Sequence, residues 1–551
     1  MSRSIKSYII LLAIFCLIAS CTKTEVNNQQ SVVIGLDSDV STLNPLYVSR
    51  EAEANISELI YLGLVGYDWD SEKGETVSHP LLAKQIDLNK DSSVVLITLR
   101  DDIKWSDGDK LTTEDIVYSF DLYSDPQVQS RFYGIYNNFY LNQDLSIDLK
   151  KTFKIVSPTQ IEINFRPNVP ASTFDFDMPI LPKHLFEKIK REELATSDIG
   201  FKPIGCGPYL LSSWERNQSI QLVKDAKSAL VNSKTIKKLI FKVIPDYNSR
   251  INQLRKGEID ITENIRPEDM SDLKSENDIS TFARKGREYD YFGLNNVGTS
   301  ANSKSQKANK FFGNKNIRKA LSLALNRESV LKEYLLGNGE LMTGPIAPIF
   351  KSSFNSELIP FQNNLSKAKE LLHNEGWSDS DGDGVVEKGG EKFEFTLSIP
   401  SGNPLRSYCA TIFQNNMKAV GVNVEINTLE PAVFFEKMFN KELDAWIAGW
   451  MVPIPLDLKP YWYSDTKIAQ ANIYGYKNER IDWLLDNLEK KLSKKEHASS
   501  LLEFQKIIYD EQPALFLFWI DNIVGYNKRI KNMKINPLGA VQKCWTWEIS
   551  Q

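Results

Sequence analysis

The sequence reads as a globular protein of two or more domains, built of both strands and helices. Three observations carry that reading. The chain has 551 residues, of which 42% are hydrophobic and 25% charged; it holds no biased or repeated tract; and apolar runs of strand length alternate with runs of helical spacing. A chain of this length buries a sizeable core. Its formal net charge of −5 balances 66 basic against 71 acidic residues without strong clustering, so neither nucleic acid nor an acidic polymer is the expected partner. Only His79, His184, His373 and His497 are present, widely scattered, which argues against a histidine-rich metal centre.

In chain order, Arg3 and Lys6 make a basic start and Tyr8 to Ile18 an apolar run too short for an ordinary membrane span. Leu17-Ile18-Ala19-Ser20-Cys21 then matches a lipobox. The match implies cleavage before Cys21, lipidation of its thiol and acylation of the new amine, with residues 1–20 as signal; the alternative is a plain secretory signal with an incidental cysteine. Several acyl chains anchor a protein stably where one does not, so the expected location is the cell envelope, on the periplasmic or extracytoplasmic face. Residues 21–30 read as a polar tether. Cys206, Cys409 and Cys544 remain in the mature chain, enough for at most one bridge.

Ser31 to Asp37 has the apolar density of a buried strand, and Leu43-Asn44-Pro45 turns the chain toward a helical run, Ala54 to Leu64. Val94 to Arg100 alternates as a strand does. Asp107-Gly108 marks a tight turn, and Thr112 or Thr113 with Glu114 and Asp115 starts a helix carrying Ile116, Val117 and Phe120. Further on, Gly257 ends a helix (Ser249 to Lys256) before a strand, Glu258 to Thr262, and Asn326 caps the helix after it.

Leu99-Arg100, Trp105-Ser106-Asp107-Gly108, Leu111-Thr112 and Glu114-Asp115 together resemble the signature of family 5 extracellular solute-binding proteins, the peptide receptors of ABC importers. Later stretches follow in that family's order: Pro182 to Leu185, Gly205 to Tyr209, Gly257 to Asp260, Gly293-Leu294-Asn295, Ile317 to Glu328, Gly475-Tyr476 with Ile481-Asp482, and Ala514 to Ile520. Each also has a purely fold-forming reading. The resemblance spans essentially all of the mature chain and implies a two-lobed α/β fold of the periplasmic-binding-protein type II kind, with an extra subdomain inserted in the first lobe. Lobe I would take residues 31–289 with the insertion at 67–185, lobe II residues 290–519, and residues 520–551 would return to lobe I. Crossings at Tyr289 to Leu294 and Phe518 to Ile520 would form the hinge of a clamp that a ligand closes by touching both faces. The implied partners are a peptide or other small solute, an ABC permease with its ATPases, and a membrane held through the lipid; the protein itself is expected to be a monomer that binds no nucleic acid.

The stretch Asp444 to Asp465 reads as a ligand wall. Trp446, Trp450, Tyr461, Trp462 and Tyr463 crowd it, while Pro453, Pro455 and Pro460 forbid a continuous helix. The competing reading places these aromatics in a core beneath a long loop. In the family's peptide receptors an aspartate stands three residues after the tryptophan corresponding to Trp450 and pairs with the peptide's α-ammonium; here that position is Pro453. Hydrogen bonds to charged groups contribute about 1.5–3 kcal/mol, so the loss calls for another carboxylate, of which Asp457 is the nearest in sequence. The expected ligand-binding set is Trp450, Asp457, Tyr461 and Trp462, joined by Asn44 and Asn295. Cargo is expected to be a peptide, with a sugar or metal chelate as the alternative.

No nucleophile elbow, HExxH, glycine-rich phosphate loop or Cys-x-x-Cys pair is present; no enzymatic activity is expected, and a secreted hydrolase is the rival from another class. The one metal-like stretch runs from Asp379 through Asp381, Asp383 and Gly384 to Glu387, the first part of a calcium loop whose twelfth position is Gly390 instead of glutamate. The alternative is a solvated acidic turn. No cofactor is otherwise expected.

Overall fold

The computed structural model describes residues 30–89, 93–297 and 309–550. The signal segment, Cys21 and all but the last residue of the tether lie outside the described residues.

One sheet runs through the molecule in the order Asn423–Leu429, Glu394–Pro400, Ala445–Met451, Ile279–Leu294, Ala514–Asn527, Ile261–Thr262, Ser31–Leu36, Lys238–Val243, Ser219–Lys224 and Tyr209–Glu215. Its centre is the antiparallel pair Ile279–Leu294 and Ala514–Asn527. The apolar runs Phe516 to Trp519 and Tyr291 to Leu294 are covered on both faces, as near-continuous hydrophobic strands require. On one side of this pair, Ser31–Leu36 lies parallel to both Lys238–Val243 and Ile261–Thr262. On the other, Glu394–Pro400 lies parallel to Asn423–Leu429 and Ala445–Met451, with the helix Pro404–Lys418 as one crossover.

Hydrophobic clusters follow this division. Val32, Ile34, Tyr209, Leu239 and Val524 belong to one half, and Phe292, Leu397, Phe413, Ile447 and Leu515 to the other. A separate core drawn from Leu46 to Cys206 encloses the four-stranded sheet Ala83–Leu88, Val94–Leu99, Gln160–Asn164 and Phe153–Ser157 and the helix Thr113–Ser124. Cys206, Cys409 and Cys544 are free, buried and in three different clusters, so they form no bridge with one another.

Locally, several boundaries move for identifiable reasons. The helix expected over Ala54 to Leu64 is Glu51–Ile60, because Glu53 anchors its first turn. The helix at Thr113–Ser124 starts as expected, with the Thr112 amide donating to Asp115 Oδ2 at 2.8 Å. The helix expected over Ser249 to Lys256 is Tyr247–Arg255, and the strand expected from Glu258 shrinks to Ile261–Thr262. The amides of Glu258 and Ile259 instead close the preceding helix by donating to Gln253 O at 2.9 and 3.3 Å. Asp260 accepts the Val33 amide at 2.8 Å and a bidentate Arg529 at 2.7 Å, tying the C-terminal segment to the first strand.

Glu53 is fully buried. Its carboxylate accepts the amides of Ser41 and Ser49, both at 2.8 Å, and the Ser41 hydroxyl at 2.6 Å. Burial alone raises such a group, but these donors and Arg50 outweigh it and hold the carboxyl at about 2 against an ordinary 4.5. Because the folded value lies below the unfolded one, the contribution is complete above the ordinary carboxylate range and is lost as pH falls toward the folded value. Glu53→Gln should therefore cost about 1.5–3 kcal/mol at neutral pH, measured by urea unfolding, and the gap between wild type and variant should narrow on acidification below the ordinary range.

Candidate functional site

The cleft floor is built where the two central strands lose register, between Arg284 and Glu288 opposite Ile520 to Asn522. This interruption lies just before the span expected for the first crossing. Gly286 sits in it because a Cβ there would lie 2.6 Å from Ile520 O. Charged side chains crowd the break. Arg284 is buried between Glu51 at 3.5 Å and Glu263 at 3.4 Å, and its Nε has no acceptor. Lys285 reaches Glu340 at 3.0 Å and Asp521 at 3.2 Å. Arg287 Nη1 donates to Val452 O at 2.7 Å. The Glu288 carboxylate makes no hydrogen bond or ion pair among the described residues, although its side chain is open to solvent. Loss of water pushes Glu288 up, and it pushes Glu263 up to about 7, with Arg284 opposing and Glu51 adding to the rise.

The wall beside this floor is the strand Ala445–Met451. Its register sets Trp450 opposite Tyr289 and Met451 opposite Glu288. Trp450 is half-buried and meets Tyr461 edge-on at 5.2 Å and Phe439 at 6.5 Å. Trp450 and Tyr461 are thus brought together, as a ligand wall needs. Trp462 is not part of it: it is 1% exposed and stacks on Tyr474 at 5.3 Å, inside the core. Asp457 stands in the loop beyond, open to solvent, with Oδ1 accepting the Lys459 amide at 3.1 Å. Lys459 itself turns away to Asp486 and Glu489. Surrounding protein pushes the Asp457 carboxyl up.

Asn44 and Asn295 are both buried and use their side chains on the backbone. Asn44 accepts the Leu46 amide at 3.1 Å and donates to Leu194 O at 3.3 Å. Asn295 donates to Lys441 O and Leu443 O at 3.1 and 3.2 Å and accepts the Val297 amide. These are loop ties whose polar atoms are already spent, so they correct the expectation of ligand contact.

The hairpin Val65–Asp70 and Glu75–Pro80 reaches the segment around Phe350. Trp69 meets Phe350 edge-on at 6.0 Å, and Lys351 Nζ donates to Ser71 O at 2.8 Å. The Lys491 amide makes a further link to Asn168 O at 3.1 Å. Burial, reinforced by the like charge of Glu58, pushes Asp177 up to about 8, with Arg131 opposing.

In the acidic loop, ligand oxygens of Asp379, Asp381 and Glu387 lie within 4.8 Å of one another. Asp383 is instead held by Lys392, which also reaches Asp381 at 3.4 Å, and Glu387 Oε1 accepts the Ser380 amide at 2.8 Å. Three of the four expected carboxylates therefore converge around a loop that already carries a lysine cation.

Sequence reasoning missed Arg284, Arg287, Glu288 and Trp69. The available signal for the first three was a run of charged residues around a glycine, Arg284-Lys285-Gly286-Arg287-Glu288, between the stretches Ile279 to Ala283 and Tyr289 to Leu294.

Residues 78–471 match the family described as bacterial extracellular solute-binding proteins, family 5 Middle. The chain is 26% identical to the oligopeptide-binding protein AppA of Bacillus subtilis, over 98% of this chain and 97% of that protein. It is 23% identical to the glutathione-binding protein GsiB of Salmonella typhimurium, over 92% of each. Among solved structures it resembles AppA of Bacillus subtilis in complex with a nonapeptide, at TM-score 0.76 and 24% identity over 95% of this chain and 99% of that one. It also resembles NikZ of Campylobacter jejuni in complex with Ni(L-His), at TM-score 0.75 and 25% identity over 94% and 99%. With a match over most of its length and a two-part cleft of this construction, the chain belongs to the family 5 extracellular solute-binding proteins.

Proposed function

We propose that this protein is the membrane-anchored receptor of an ABC importer, closing on a peptide and handing it to a permease driven by its ATPases. The observation that carries the reading is that, among the described residues, the two halves of one sheet join through the pair Ile279–Leu294 and Ala514–Asn527, with Trp450 and Tyr461 in contact beside its register break. Two strands bend at a register break more readily than a broad sheet does, so a ligand touching both faces shifts the equilibrium toward closure. The described residues contain no helix long and apolar enough to cross a membrane; in this reading the anchor is a lipid on Cys21, which the lipobox Leu17 to Cys21 supports. The relatives are named as binding proteins, which supports a receptor that releases its cargo unchanged.

A second reading, a receptor for a non-peptide solute, draws on Pro453, which brings no carboxylate to the wall. Native mass spectrometry of ligand carried through purification distinguishes the two: peptide masses support the first reading, and a single non-peptide mass replaces it. Trp450→Ala should weaken binding of the identified cargo about tenfold or more in calorimetry, with unchanged circular dichroism. Cys21→Ala should move the protein from the membrane to the soluble fraction of lysed cells; retention on the membrane would remove the lipid anchor from the proposal.

A further inference from the structure

The hairpin Val65–Asp70 and Glu75–Pro80 forms a two-stranded sheet of its own, and its root and its tip touch different parts of the molecule. The root is held on the side of the first strand. Leu64 O accepts the Leu81 and Ala83 amides at 3.0 and 3.1 Å, Tyr67 stacks on Phe174 at 4.8 Å, and Asp68 accepts from Lys543 Nζ at 2.8 Å. Alternation along the strand sets Tyr67 and Trp69 on one face and Asp68 on the other. The inserted segment that carries Phe174 runs into the same side at both ends, from Ser31–Leu36 before it to Tyr209–Glu215 after it. The tip docks on the other half. Trp69 packs on the cluster of Tyr289, Phe350 and Trp446, against which Trp450 and Tyr461 also pack, and Lys351 Nζ donates to Ser71 O at 2.8 Å. Gly74 is buried in this contact at φ +67°, where a Cβ would lie 2.1 Å from Ile349 O and 2.5 Å from Lys351 N. Asp70 Oδ1 shapes the turn by accepting the Glu72 and Lys73 amides, both at 3.0 Å. A second crossing joins the inserted segment to the same half, from the Lys491 amide to Asn168 O at 3.1 Å.

We propose that Trp69 is a positioning residue: with the hairpin tip it latches the two halves in the closed state and so sets cargo affinity without touching cargo. The inference rests on the receptor reading. Among the described residues the main sheet joins its halves through Ile279–Leu294 and Ala514–Asn527, so contacts made away from that pair weigh heavily on the balance between open and closed. A contact formed only on closing multiplies the closing equilibrium, and apparent affinity scales with the fraction of protein in the competent state. Its effect is therefore the same for every cargo, whereas a residue lying against the cargo discriminates between side chains. The make-up of the contact suits repeated release: one aromatic edge, one hydrogen bond to a backbone oxygen and one glycine laid against backbone. An edge-on aromatic pair of this kind shifts an equilibrium about three- to tenfold, enough to bias closure without fixing it.

Small-angle X-ray scattering on the ligand-free mature chain without Cys21 reads closure directly. Ser71→Cys with Lys351→Cys places thiols on the two sides of the contact, and Cys206, Cys409 and Cys544 are buried, so bismaleimidoethane joins the introduced pair. The cross-linked protein should have the smallest radius of gyration. Trp69→Ala and Gly74→Ala, which undo the contact at different points, should each have a larger one, with the wild type between them and the cross-linked form or equal to the latter. Calorimetry with trialanine and trilysine should find both peptides weakened by one common factor, about three to ten, in Trp69→Ala. Radii for both variants no larger than that of the cross-linked protein overturn the latch. A loss that differs between the two peptides overturns it as well, by placing Trp69 against the cargo. Neither result touches the receptor reading, which stands or falls on the ligand carried through purification. If neither peptide binds, the scattering comparison decides the latch alone.

Discussion

The antiparallel pairing of Ile279–Leu294 with Ala514–Asn527 is the interaction on which the rest of the structure depends. Every other strand of the main sheet is attached to one side or the other of this pair, and the two groups of hydrophobic cores divide along it. Backbone hydrogen bonds are satisfied above and below the register break, so bending there disturbs few of them. The same break cannot be filled with apolar side chains, because it opens to the cleft between the halves. Charged residues stand there instead, and partial loss of water leaves their carboxylates strained toward protonation.

The wall depends on packing behind it. Trp446, Tyr474 and Trp462 stack in sequence, with centroid separations of 5.9 and 5.3 Å, and hold the strand that carries Trp450. Gly293 is small for the same reason: a Cβ there would lie 2.0 Å from the Trp446 ring. Tyr291, Tyr474, Trp446 and Trp450 gather their polar atoms in one buried cluster, where the Tyr291 hydroxyl interacts with the other three. Aromatic area and this polar cluster together hold the layer, and Trp450 is positioned from behind.

Much of this architecture was legible in the chain. Trp105 to Gly108 and Pro182 to Leu185, far apart in sequence, meet through a His184 to Asp107 contact at 2.9 Å, while Trp105 itself is 2% exposed. Their spacing carried the resemblance because they form the framework of the inserted sheet, and that is a structural role. Asn326 caps its helix by accepting the Ser329 amide at 3.1 Å, as its position foretold. The candidate site was less legible. Trp450 and Tyr461 stood out as aromatics among prolines, but Trp462 belonged to the same pattern and turned inward, since one-dimensional spacing does not say which face of a loop meets the core. Asn44 and Asn295 are residue types that bind ligands and also close turns, and only their buried backbone partners distinguish the two uses.

The sequence by itself determined the elements, through local periodicity and capping chemistry, and the family with its α/β class, through ordered motifs; it also marked the aromatic stretch around Trp450. Tertiary structure decided which polar groups meet at the register break. Glu51, Glu263, Arg284 and Glu288 come from three separate segments, and no spacing within any one of them shows that they gather around it. Their balance of charge, and the carboxylate left without a partner, arise only when the two long strands lose register and bring those segments together.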